Sequence, residues 1–166
     1  MSVLQRECLP VDQVLDTVMK VESDMARFYE TGAETTNHPE VAALFTRLTS
    51  DMKTGTDGFG KVCASLKCGE THLDQATPGD LDFLSALAQS AFYSRTGKPE
   101  EKADEAMSAA GLIESGLELE RDLLLFHTKF FKVSCEEQRP IFSDLVARGE
   151  RHITELTKLR QRIKTL

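Results

Sequence analysis

The 166-residue sequence is short of positive charge: 20 Lys and Arg stand against 27 Asp and Glu, a net charge of -7. No segment is basic enough to follow a phosphate backbone or an anionic lipid surface, so neither a nucleic acid nor a membrane is expected as partner. Long apolar runs are missing as well, and nothing approaches the roughly 20 residues that span a bilayer. The first thirty residues lack the basic start, apolar stretch and small-residue cleavage site of a secretory signal, which points to the cytoplasm. The four cysteines, Cys8, Cys63, Cys68 and Cys135, contain no C-x-x-C, and Cys63 and Cys68 at a spacing of five diverge around a helix. That pattern suits neither a zinc knuckle nor an iron–sulfur cluster, and ordinary thiols in a reducing compartment account for it.

Glycine and proline are scarce inside long segments, strand-like alternation is hard to find, and apolar residues recur at three-and-four spacing. The expectation is one all-α domain, 1-166. A first helix runs from near Pro10 to the T-T-N-H-P stretch, where Pro39 discourages continuation. A second covers about 40–67, a shorter one begins at Asp80 as its cap, and two long ones cover about 101–132 and 136–164. Short breaks after the first and third long helices make each pair an antiparallel hairpin. The long connection between the hairpins carries the short helix, a ferritin-like four-helix arrangement rather than a simple up-down one.

Two stretches say nearly the same thing: V-E-S-D-M-A-R-F-Y, Val21 to Tyr29, and L-E-R-D-L-L-L-F-H, Leu119 to His127, ninety-eight residues apart. Glu22 follows Leu15 and Val18 and precedes Met25 and Tyr29 on one stripe. Glu120 lies on the stripe Ile113, Leu117, Leu124, His127. Both glutamates therefore face the core, and an unpaired buried carboxylate costs several kcal/mol or stays protonated. His152, on the stripe Phe142, Leu145, Gly149, His152, Leu156, Leu159, is one partner. A shift of ninety-seven lays Phe45 on Phe142, Leu48 on Leu145, Met52 on Gly149 and Gly55 on His152, which indicates a duplicated hairpin.

With V-M-K-V-E-S-D-M-A-R-F-Y-E and N-H-P-E-V-A-A-L-F-T-R-L in the first half, and L-E-L-E-R-D-L-L-L-F-H and G-E-R-H-I in the second, the chain resembles the rubrerythrin-like branch of the ferritin-like superfamily. That resemblance implies a two-metal centre built from single glutamates and two Glu-x-x-His pairs. Glu22 and Glu120 match the single glutamates and His152 the second histidine. Met52 and Gly55 stand where the first Glu-x-x-His belongs, and Gly149 where the second Glu belongs, so both bridging carboxylates are missing. The rubredoxin-type cysteine module has no counterpart.

The implied metal ligands are Glu22, Glu120 and His152, holding a single or partial metal, with iron first and manganese or zinc behind it. If the protein is active, the implied chemistry is an oxidoreductase reaction, peroxide or iron oxidation; the missing carboxylates argue against an intact redox centre. The alternative is a metal-free bundle in which the same residues form a hydrogen-bonded remnant and the protein acts by interaction or small-molecule binding. Gly55 and Gly149 raise the expectation of a ligand-sized space. Asp51 and Glu150 adjoin the lost positions but are turned about 100° around the helix. The resemblance further implies a homo-oligomer, a dimer first. The short helix Asp80 to Ser94, with Phe83, Leu84, Leu87, Phe92 and Tyr93, is a docking candidate or a cover for the bundle.

Overall fold

A computed structural model of the chain describes residues 11–67, 77–90, 108–134, 136 and 139–164. These form five helices: α1 (Val11–Thr35), α2 (Pro39–Lys67), α3 (Pro78–Ser90), α4 (Ala109–Val133) and α5 (Arg139–Lys164). The described residues contain no strand. No helix among them is long and apolar enough to cross a membrane.

The ends follow from local chemistry. Pro39 opens α2 as its first residue, where its missing N–H costs nothing. Ser108, in extended backbone, caps α4 by accepting from the Gly111 N–H at 3.0 Å. That boundary corrects the expected start near Glu101; residues 101–107 lie outside the described ones. The short helix differs in a similar way, because its cap is Thr77 and not Asp80. The Thr77 hydroxyl accepts the Asp80 N–H at 3.2 Å while the Asp80 carboxylate accepts the Thr77 N–H at 2.9 Å, a reciprocal capping box with Pro78 between them.

Side-chain pairings fix the directions. Lys53 meets Glu30 and the Phe45 ring meets Gly32, so α1 and α2 run antiparallel. A Cβ on Gly32 would lie 2.7 Å from that ring, so glycine lets the ring pack against the α1 backbone. Phe130 stacks on Phe142 and Glu120 meets His152, so α4 and α5 are also antiparallel. The hairpins face each other as α1 on α4, through Tyr29 and Glu120, and α2 on α5, through Arg47 and Glu155 and through Phe59 and Phe142. Helix α3 packs on α1 and α4.

The expected stripes are the buried ones. Val41, Phe45, Leu48, Met52 and Phe59 of α2 are at or near zero exposure, as are Met25 and Tyr29 of α1 and Ile113 and Leu117 of α4. Val62 and Leu66 of α2, like Leu15 and Val18 of α1, have side chains outside the described set. Phe28, Tyr29 and Phe45 make an edge-to-face cluster near one end of the bundle, and near the opposite end Phe142 stacks on Phe130 and meets Phe59 edge to face. Between these aromatic plugs lies a polar layer. On α3, Leu84 is buried and Phe83 half-exposed beneath the Lys129 ammonium, 5.4 Å from its ring. Phe92 and Tyr93 of the docking candidate lie outside the described residues.

Candidate functional site

Glu22 and Glu120 are both buried in the middle of the bundle, and so is His152. The structure brings Glu120 and His152 together: imidazole Nδ1 is 2.9 Å from Glu120 Oε1. The same oxygen accepts the Tyr29 hydroxyl at 2.7 Å. Glu22 is engaged elsewhere. Its Oε1 accepts Arg148 Nη2 at 2.8 Å and lies 2.9 Å from His127 Nε2, and its Oε2 accepts the Thr56 hydroxyl at 3.3 Å.

The two glutamates thus have matching partners. Across the α1–α4 contact, Glu22 meets His127 and Glu120 meets Tyr29, which are matching positions of the two nine-residue stretches. The symmetry ends at α5, which offers Arg148 to Glu22 and His152 to Glu120. Burial alone would raise the Glu22 carboxyl, but His127 and the Arg148 guanidinium outweigh it and hold it below its ordinary range, as an anion. Burial pushes the Tyr29 phenol well above its usual 10.0, and the adjacent Glu120 carboxylate adds to that.

Arg148 is the residue that the sequence pattern did not single out. It is 6% exposed, and its head group lies directly over Gly55 of α2. A Cβ at Gly55 would fall 1.6 Å from Arg148 Nη1 and 2.9 Å from its Cζ, so only glycine admits the guanidinium there. The expected space beside Gly55 is therefore filled by a cation. The space beside Gly149 is filled too, by Leu124, whose Cδ1 would stand 3.2 Å from an added Cβ. Arg148 and Leu124 thus lie where the expected ligand space beside these two glycines would begin.

A second departure concerns Asp51. Although turned away from the seam and one-third exposed, it places Oδ2 3.2 Å from His152 Nε2, so the ring is clamped between Glu120 inside and Asp51 at the rim. Arg151 Nη2 lies 3.7 Å from the same oxygen. Glu150, the other residue beside a lost position, is exposed, and its backbone carbonyl accepts the Thr154 hydroxyl at 2.8 Å.

Buried side-chain nitrogens without a hydrogen-bond partner among the described residues include Arg148 Nη1, His127 Nδ1, Arg139 Nε and His38 Nδ1. His127 Nε2, 2.9 Å from Glu22 Oε1, makes the contact that does most to lower the Glu22 carboxyl. Among the described residues no group of three or more His, Cys, Asp and Glu side chains is placed to hold a metal ion.

The arrangement does not fit the two-metal centre that the sequence resemblance implies. Met52 is fully buried at a bridging position and supplies no carboxylate. Glu120 and Asp51 bind opposite nitrogens of His152, so in this geometry the three do not converge on one ion. A fixed guanidinium on Glu22 repels any ion brought beside it. No family model, curated protein or solved structure matches this chain.

Proposed function

We propose that the chain is a ferritin-like, rubrerythrin-like bundle in which an arginine has taken the electrostatic place of a metal, and that it acts by interaction and not by redox catalysis. The connectivity supports the ferritin-like reading. Helices α2 and α4 run the same way at diagonal corners, and α3, which lies between them in the sequence, packs on α1 and α4. The observation that carries the functional reading is the Arg148–Glu22 pair at 2.8 Å, seated on Gly55. A +1 charge a few ångströms from a divalent ion opposes its binding by several kcal/mol at an effective dielectric of about 20. The pair also removes the reason for an ion to be there, since Glu22 is already compensated.

Interaction is favoured over small-molecule binding because Arg148 and Leu124 lie beside Gly55 and Gly149. In keeping with the family resemblance, the partner first in line is a second copy of the chain, and sedimentation of the purified protein checks the expected dimer. The catalytic part is tested by loading the protein with ferrous iron under nitrogen and assaying ferrous oxidation and peroxide turnover. Rates equal to those of iron in buffer are expected. Turnover that disappears in His152→Ala overturns the proposal.

One observation favours a second reading, the reduced metal site with iron first and manganese or zinc behind. His152 Nε2 and Asp51 Oδ2 lie 3.2 Å apart at the solvent edge while Glu120 holds the other ring nitrogen, the way a second carboxylate orients a ligating histidine. On that reading the ion binds Asp51 and His152, Glu120 orients the ring, and Glu22 takes no part.

A further inference from the structure

We infer that the groove between α1 and α4 on the outside of the bundle is a docking site for an amphipathic helix of another protein, and that α3 is the chain's own stand-in, covering the groove until such a partner displaces it. The inference concerns the outer face and stands apart from the reading of the polar centre, whether or not the chain also pairs with a second copy.

Helix α3 packs on α1 and α4, and the hold on it is narrow. Of its described side chains only Leu84 is buried, at 1% exposure, while Phe83 is 44% exposed. Its polar attachment passes through one residue of α4: the Lys129 ammonium pairs with the Asp80 carboxylate and lies 5.4 Å from the centre of the Phe83 ring. Ion pairs and cation–π contacts near the surface are weak. The helix also brings its own start, because the Thr77–Asp80 capping box closes between its own residues. A helix that caps itself and is pinned by one leucine and one lysine can come off without taking the core apart.

What the groove accepts is written on α3: a carboxylate one turn ahead of an adjacent aromatic and leucine, Asp80-x-x-Phe83-Leu84, on one face of a helix. Lys129 reads the carboxylate by charge. Phe126, three residues before Lys129 and on the same side of α4, is fully buried and supplies apolar floor. Leu125, four residues before Lys129, is 50% exposed, so α3 leaves apolar surface bare that a longer partner helix covers. That added burial is what lets a free helix compete with a tethered one, whose effective concentration is high.

The test uses the full chain and a fluorescein-labelled peptide of residues 77–90, stapled between the exposed positions Asp82 and Ala86 and followed by anisotropy. Leu84→Ala loosens the tethered α3 and is expected to bind the peptide about tenfold more tightly than wild type. Lys129→Glu in that background should weaken binding about tenfold, and a peptide carrying Asp80→Lys should regain it, an exchange of charge that only a direct contact restores. Equal binding to wild type and Leu84→Ala, or a charge exchange without rescue, overturns the inference. A Leu84→Ala chain that fails to fold overturns it too, since a stand-in must come off an intact bundle. A wild-type dimer that is lost in Leu84→Ala assigns the groove to the α3 of a second copy and overturns the choice of a foreign partner.

Discussion

Replacing Gly55 by alanine should destabilise the protein although alanine is the better helix former. The substitution lies in the interior of α2, where alanine gains about 1 kcal/mol over glycine. Against this, the new Cβ would fall 1.6 Å from Arg148 Nη1. The atom it meets is the far end of a flexible side chain, so the backbone need not move, but the guanidinium must leave Glu22. A buried hydrogen bond to a charged group is worth about 1.5–3 kcal/mol, and stripping a buried charge of its partner costs about 3–5 kcal/mol. Because Thr56 and His127 stay beside Glu22, the lower range applies. The net loss is then roughly 0.5–2 kcal/mol, a fall in Tm of about 1–8 °C at this chain length. The sign should reverse in an Arg148→Ala background, where nothing opposes the Cβ and the gain of about 1 kcal/mol remains. Chemical denaturation of the four proteins of this cycle measures both values. A Gly55→Ala protein more stable than wild type, or equal effects in both backgrounds, would refute the placement of the guanidinium.

Other outcomes follow from the same polar layer. Glu22 has a depressed carboxyl, so its stabilisation is complete above the unfolded value near 4.5 and drains away as pH falls through the lower folded value. Thermal melts of Glu22→Gln below pH 4.5 should therefore fall less steeply than those of wild type. Tyr29 behaves in the opposite sense: its raised phenol keeps its contribution below pH 10.0 and loses it as pH rises toward the folded value. Alkaline titration at 295 nm should show one of the two tyrosines ionising late, with unfolding, and Tyr29→Phe should abolish that late step. The same variant leaves Glu120 without its 2.7 Å donor and should cost about 1.5–3 kcal/mol in urea denaturation. At the edge of α3, Lys129 holds the Asp80 carboxyl down to about 2, with Thr77 adding to the effect, so Lys129→Met should raise it toward 3.8 by carbon-detected NMR.

The helices and their inward faces were legible because amphipathic spacing and burial are the same physics. Glu22 and Glu120 stood out as charges on apolar stripes, and the nine-residue repeat correctly placed His127 and Tyr29 one heptad on. Arg148 was not legible from the stripe Phe142, Leu145, Gly149, His152, since its Cα sits just off that line. A long side chain carries its head a turn away from its Cα, so a residue beside the seam can fill it. The signal was present in another form: an arginine four residues before His152, level with a mid-helix glycine on the facing helix, in a core with two carboxylates to neutralise. Asp51 was set aside because of its 100° rotation, an argument that holds for a closed seam and fails at the α2–α5 groove, where the His152 ring reaches outward to meet it. Thr77 could have been recognised as the cap from T-P-G-D, in which proline opens the helix and the acid at the third position completes the box.

On the proposed reading, the Arg148 guanidinium at Glu22 stands where the sequence resemblance puts a metal. The most direct test is elemental analysis of tag-free protein, prepared without oxygen, challenged with ferrous iron, manganese and zinc, and then desalted. No ion is expected to remain bound to the wild-type chain in stoichiometric amount. One or two ions per chain, retained through desalting, would contradict it.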